Sequence, residues 1–279
     1  MPSRIRLCAL LALGVLTALP LRAQAPAGAG DLERHLAPYR NATFVLLDPA
    51  TGETMRVHPE RAAERVSPAS TFKIPHALAA LDAGVLDGPG HVVRWDSTVA
   101  PARPWWPESW RRDHTLRSAV ENSVVWYFQE VARQMGEERE QAYLDAFDYG
   151  NRDLSGGLTR FWLGTSLGIS ADEQVRFWRR LWEGGLPASA AAQATVRDLV
   201  PVLREGEGFR LLGKTGTALL DGTMDGPMLS WLAGVAEVEG RPHVFALHVE
   251  ADGWVRPKER VALAEALLRD AGVLPAGPD

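Results

Sequence analysis

Pro68-Ala69-Ser70-Thr71-Phe72-Lys73-Ile74-Pro75 opens a helical stretch whose spacing runs over Phe72–Ala83 and stops before Gly84. A residue and its third neighbour share one face of a helix, so Ser70 and Lys73 address one place. The first helical turn has free N–H groups that favour negative charge. A serine there suits a nucleophile. A lysine beside it suits a proton acceptor once burial lowers its pKa. By itself, Ser-x-x-Lys equally describes a capping serine with a solvated lysine.

On the N-terminal side of this stretch, Leu32–Tyr39 reads as a short helix. Ala42–Leu47 and Thr54–His58 read as a β-hairpin turned by Pro49-Ala50-Thr51-Gly52. On the other side, Ser118–Gly136 carries Val120, Val124, Phe128, Val131 and Met135 at helical steps, and Ala171–Glu183 and Ala188–Leu203 are further helices. Pro101, Pro104, Trp105, Trp106, Pro107 and Trp110 mark a loop, because Pro-Trp-Trp-Pro does not fit a helix interior. Strands return at Arg210–Lys214, Leu229–Val238 and Val244–Val249, before a last helix at Lys258–Ala271. This order predicts an α+β fold. An antiparallel sheet is built from both termini and flanked by helices, and a mainly helical lobe at about residues 85–200 is inserted into it. A cleft between lobes is a usual place for a site.

Three further motifs follow in order. Ser123-Val124-Val125 lies in a predicted helix, Tyr149-Gly150-Asn151 beyond it, and Lys214-Thr215-Gly216 on a predicted strand. A cation, a hydroxyl and a residue without a side chain suit an edge that holds an anionic substrate near the backbone. Singly, each also reads as ordinary structure: a helical serine, a helix stop, a turn.

Together, with Ser-x-x-Lys opening a helix, they are the pieces of penicillin-recognising serine enzymes. From about Val66 to Arg260 the chain resembles the class D serine β-lactamases, the oxacillinases. Phe147-Asp148-Tyr149-Gly150-Asn151, Leu154-Ser155-Gly156-Gly157, Phe161-Trp162-Leu163 and Ile169-Ser170-Ala171 carry the resemblance alongside residues 68–75.

The resemblance implies hydrolysis of the β-lactam amide of penicillins through an acyl-enzyme on Ser70. It implies that Lys73 is carboxylated by carbon dioxide (N6-carboxylysine) and is the general base, with no metal or organic cofactor. Trp162 matches the tryptophan that hydrogen-bonds the carbamate, and an indole N–H, a donor only, suits a carboxylate. Ser123, helped by Lys214, relays a proton to the leaving nitrogen. The backbone N–H groups of Ser70 and Thr217 form the oxyanion hole. Tyr149, Thr215, Gly216, Thr217 and an arginine bind substrate. Arg260 fits that arginine best and Arg256 is the second candidate. In the family, the connection matching Leu219–Met228 shapes substrate range.

Competing readings are a β-lactam sensor that stays acylated and a DD-peptidase or transpeptidase of the same fold. Trp162 and the absence of further apolar spans speak against the sensor. The Tyr-Gly-Asn and Phe-Trp-Leu set speaks against the peptidase. A Ser–His–Asp hydrolase lacks its Gly-x-Ser-x-Gly around Ser70.

Composition agrees. The 279 residues are 46% hydrophobic and 23% charged, enough for a substantial core. One cysteine, Cys8, excludes an internal disulfide framework and a multi-cysteine metal site. A net charge of −5 argues against nucleic-acid binding through overall charge. His35, His58, His76, His91, His114, His243 and His248 show no zinc-type pairing. Residues 1–25 have Arg4 and Arg6, an apolar run from Leu7 to about Leu21, and Ala23-Gln24-Ala25, the layout of a secretory signal. Cleavage there leaves a single domain of 254 residues with formal charge −8 and no cysteine. The expectation is a periplasmic protein without a retained membrane anchor, monomeric or homodimeric, whose partner is a small β-lactam.

Overall fold

The computed structural model describes residues 28–164 and 166–275. The signal-like segment 1–25 and Cys8 lie outside the described residues. Strands β1 (Asn41–Leu47) and β2 (Thr54–Val57) form the expected hairpin, with Phe44 opposite Val57 and Leu47 opposite Thr54. The C-terminal part supplies β5 (Val202–Gly206), β6 (Phe209–Leu219), β7 (Pro227–Val238) and β8 (Arg241–Asp252). The six join in the antiparallel order β2-β1-β8-β7-β6-β5, so the two ends of the chain meet where β1 pairs β8. The predicted sheet from both termini is what forms.

Both faces of this sheet are covered, and the period-two alternation sorts its side chains. Phe44 and Leu46 point to one core, with α1 (Ala29–Leu36) and α9 (Pro257–Asp270). On α9, Ala264, Leu267 and Leu268 are fully buried, and each such leucine contributes about 1.5–3 kcal/mol by leaving water. Val45 and Leu47 point to the other core, which is continuous with the helical lobe. There α7 (Ala171–Glu183) packs on the sheet. Its Ser170 cap accepts from Glu173 N at 3.1 Å while Glu173 Oε2 accepts from Ser170 N, a reciprocal box that starts the helix.

The lobe between contains α3 (Lys73–Asp82), α4 (Leu116–Glu121), α5 (Val125–Met135), α6 (Glu137–Phe147) and α8 (Ala190–Leu199). Strands β3 (Val92–Val93) and β4 (His114–Thr115) make a small second sheet, and α2 (Pro59–Ala63) follows the hairpin.

Several boundaries differ from the sequence reading. The helix predicted over Ser118–Gly136 is two helices, broken at Asn122-Ser123-Val124. Its apolar steps run through the break because both halves bury against the same core. The helix predicted to Leu203 ends at Leu199, two residues before Pro201, and β5 follows. Helix α6 was not predicted, since Glu137–Gln141 is polar on every side. The 310 turn Ala69–Phe72 precedes α3, so Ser70 stands just ahead of the α-helix rather than inside it.

Candidate active site

Ser70 sits in that 310 turn, and Ala69 before it has φ 48°, in the left-handed region. Lys73 begins α3, is 0% exposed, and its Nζ donates to Ser70 Oγ at 2.6 Å. Burial, and then the charge of Lys214, push the Lys73 pKa well below that of an ordinary lysine. Its neighbours are aromatic: Nζ lies 5.7 Å from the centroid of Phe128, and Phe72 is fully buried. The amine therefore faces the serine in a setting that disfavours its charged form.

A second serine–lysine pair faces the first from the other side. Ser123 occupies the break between α4 and α5 at φ 55°, held by Ser123 N donating to Val120 O and Val124 N to Ala119 O. Such strained backbone, costing about 1–3 kcal/mol, clusters at functional sites. Lys214 Nζ reaches across from β6 to donate to Ser123 Oγ at 3.0 Å and to Thr215 O at 3.1 Å. Burial, and then the nearby Arg260, lower the Lys214 pKa to about 7.

Strand β6 lies directly against the Ser70 turn. A Cβ on Gly216 would come within 2.9 Å of Pro68 O and 3.3 Å of Ser70 N, so only glycine allows this approach. Arg260, on α9 and 1% exposed, extends under the same strand. Its Nη1 donates to Gly216 O at 2.7 Å, Nε to Val255 O at 2.8 Å, and Nη2 to Thr217 Oγ1 at 2.6 Å. Burial brings this guanidinium down to about 10.

Trp162 packs against Phe72 and His76, the residues flanking Lys73 on the nucleophile turn and α3. It is 0% exposed, its ring lies 5.7 Å from Phe72, and its Nε1–H has no acceptor among the described residues. A buried donor left without a partner is costly, so the site is shaped for an acceptor in that position. The loop that carries it is clamped by Tyr149-Gly150-Asn151. Asn151 Oδ1 accepts from Gly168 N at 2.9 Å and its Nδ2 donates to Ser166 O at 2.8 Å. A Cβ on Gly150, at φ 58°, would fall 2.0 Å from Gly168 O. Val66 and Ile169 pair as an isolated bridge that ties the loop to the Ser70 segment.

Comparisons with known proteins converge on one family. Residues 42–270 match the penicillin binding protein transpeptidase domain. The chain is 38% identical over 213 residues to the probable β-lactamase YbxI of Bacillus subtilis (strain 168), covering 76% of each. It is 34% identical to the β-lactamase OXA-10 of Pseudomonas aeruginosa, over 84% of this chain and 85% of that one. Among solved structures, the class D β-lactamase BAT-2 superposes with a TM-score of 0.78 at 33% identity, over 90% of this chain and all of BAT-2. The chain belongs to the class D β-lactamases. It is accordingly a serine hydrolase of β-lactams, and neither the sensor nor the peptidase reading is supported.

Within this β-lactamase, Ser70 lies beside Lys73, Ser123 beside Lys214, Gly216 against the Ser70 turn and Arg260 against Thr217, with Thr215 contributing its carbonyl to Lys214. The two candidate arginines differ in position. Arg256 caps α9 and pairs with Glu259 at the surface, whereas Arg260 reaches Thr217. Tyr149 needs correction as a substrate contact. Its side chain is 1% exposed and packs edge-on against Phe72 at 5.6 Å and Phe177 at 5.4 Å, so it supports the pocket from behind. Of the tryptophan-rich loop, Trp106 and Trp110 are core, and Trp110 Nε1 donates to Asn122 O, bracing the Ser123 break.

The motifs did not reveal Gln174, whose Nε2 donates to Thr71 Oγ1 at 2.8 Å behind the nucleophile turn. Nor did they reveal His76 and Glu140, which meet inside the lobe. Only His76 had a sequence signal, a polar residue inside the apolar run of α3. Among the described residues, no group of three or more His, Cys, Asp or Glu side chains could hold a metal ion. No described helix is long and apolar enough to cross a membrane.

Proposed function

We propose that this enzyme hydrolyses penicillins in the periplasm through an acyl-enzyme on Ser70, with Lys73 in its N-carboxylated form. The observation that carries the reading is the buried, unpartnered Nε1–H of Trp162, on a ring packed against Phe72 beside a buried lysine whose pKa is lowered. A neutral amine adds to carbon dioxide and releases one proton, and the carboxylate so formed meets a donor that otherwise has none. Carboxylated, Lys73 supplies a general base for both acylation and deacylation.

Ser70 Oγ attacks the lactam carbonyl carbon and gives up its proton on the Lys73 side, 2.6 Å away. The C–N bond breaks, and the nitrogen takes a proton from Ser123, which Lys214 re-protonates or orients. A pKa near 7 suits that exchange. Backbone N–H groups of Ser70 and Thr217 stabilise the oxyanion, each worth roughly 2.7–4 kcal/mol. Thr215, Thr217 and Arg260 bind the substrate carboxylate as charge-assisted partners. Water then attacks the ester carbonyl and releases penicilloic acid with Ser70 restored.

Residues 1–25 direct export, and the cleaved enzyme of 254 residues carries no cysteine. The test mixes purified enzyme with a penicillin and follows ring opening and intact mass together. Turnover with a transient adduct is expected. A stable adduct without ring-opened product in solution overturns hydrolysis. Bicarbonate raises the rate, and ¹³C-bicarbonate gives a carbamate resonance that Lys73→Ala lacks. Bicarbonate-independent turnover without that resonance overturns the proposed base.

A further inference from the structure

His76 is the single polar side chain in Ile74–Leu81, one helical turn beyond Lys73 on the same face of α3. It is 0% exposed. Its Nε2 comes within 2.6 Å of Oε1 of Glu140, which α6 carries into the lobe at 1% exposure. The imidazole lies among the rings that wall the Lys73 pocket: 5.3 Å from Phe72, 5.7 Å from Phe128 and 5.6 Å from Trp162. Phe128 is the ring nearest Lys73 Nζ, and Trp162 bears the unpartnered N–H. One side chain therefore touches both walls and is itself held from behind by a carboxylate.

Stability alone does not account for the pair. Two apolar side chains of similar volume commonly replace a buried ion pair without loss, because both charged groups surrender their hydration. A pair placed between α3 and α6 fixes something an apolar contact leaves free, the direction of a ring. A ring held by a close contact at one edge is restricted in rotation, and the rings packed on it, edge-on for Trp162 and tilted for Phe72 and Phe128, keep their orientation.

We propose that His76 and Glu140 form a positioning pair for the reactive lysine. Glu140 anchors the imidazole, and the imidazole holds Phe128 and Trp162 at the spacing that the carboxylated Lys73 requires. The pair touches no substrate. It acts through Trp162 and Phe128 on the affinity of Lys73 for carbon dioxide, and so it rests on the carboxylation reading above.

The experiment measures carboxylation directly, by titrating ¹³C-bicarbonate into Glu140→Leu, Glu140→Gln and wild-type enzyme and following the carbamate resonance. Glu140→Leu is expected to need about tenfold more bicarbonate for half-occupancy, the low end for loss of an outer partner behind a bound group. Glu140→Gln, which keeps a polar anchor, recovers most of that loss. The KM for penicillin stays unchanged, and kcat returns when bicarbonate is saturating. Should Glu140→Leu fail to fold, the double variant His76→Phe/Glu140→Leu removes both buried polar side chains and gives the same tenfold shift. Wild-type bicarbonate dependence in the folded variants, even with a lower Tm, overturns the positioning role and leaves the carboxylation reading intact. A wild-type enzyme without a carbamate resonance overturns both.

Discussion

Lys73, at the start of α3, and Lys214, on β6, are both almost wholly buried, and burial lowers the pKa of each. Their surroundings differ. Lys73 has aromatic rings around it and hydrogen-bonds Ser70. Lys214 donates to Ser123 and to a main-chain carbonyl, with Arg260 the neighbouring charge, and keeps a pKa near 7. Both walls of the site thus disfavour the ammonium form, and the strand wall leaves Lys214 able to hold or pass a proton at neutral pH. Burial sets the direction of both shifts.

The largest effect expected lies on the helical wall. Ser70→Ala removes the nucleophile and lowers kcat for a penicillin by at least about 10⁴-fold, with no covalent adduct by mass spectrometry. An adduct on that variant would place the nucleophile elsewhere. Trp162→Phe keeps a ring and deletes the N–H, and acyl-enzyme lifetimes are expected to lengthen about a hundredfold, the cost of one lost donor to a developing or fixed anion. Unchanged lifetimes in stopped-flow traces refute that role.

On the strand wall the effects are smaller and appear in binding. Arg260→Lys loses the forked geometry and raises KM about tenfold with kcat nearly kept, while Arg256→Ala stays within about twofold. The reverse ranking in steady-state kinetics would return the carboxylate to the surface arginine.

The last effect is on stability. In the unfolded chain Lys214 has the ordinary lysine pKa of 10.5, and in the folded enzyme about 7. Between those values the unfolded chain binds more protons, so this group makes stability rise with pH across that window. Denaturant unfolding from pH 7.5 to 9.5 should show a steeper rise for wild type than for Lys214→Met. Parallel curves count against a depressed Lys214.

Much of this was legible in residue order. The hairpin at β1–β2, the apolar runs of β7 and β8 and the final helix announce themselves by period and turn chemistry. The break at Ser123 was not legible, because a core on one side of α4 and α5 keeps the same helical period through it. Tyr149 was legible as part of a motif but not as a buried one, since a motif records which residues recur together and not which way they face. The purpose of Gly150 and Asn151 was equally hidden, because their partners Ser166 and Gly168 are reached only when the loop closes.

By itself, the sequence determined the family, the sheet drawn from both termini, and the four motifs that bear the chemistry, because local spacing and residue type suffice for these. Only the tertiary structure decided which arginine reaches Thr217, that Trp162 keeps an unspent donor, and that His76 meets Glu140. Those facts depend on side chains up to about a hundred residues apart being buried against one another. Burial is what disfavours the charged form of Lys73 and leaves the Trp162 Nε1–H without an acceptor among the described residues.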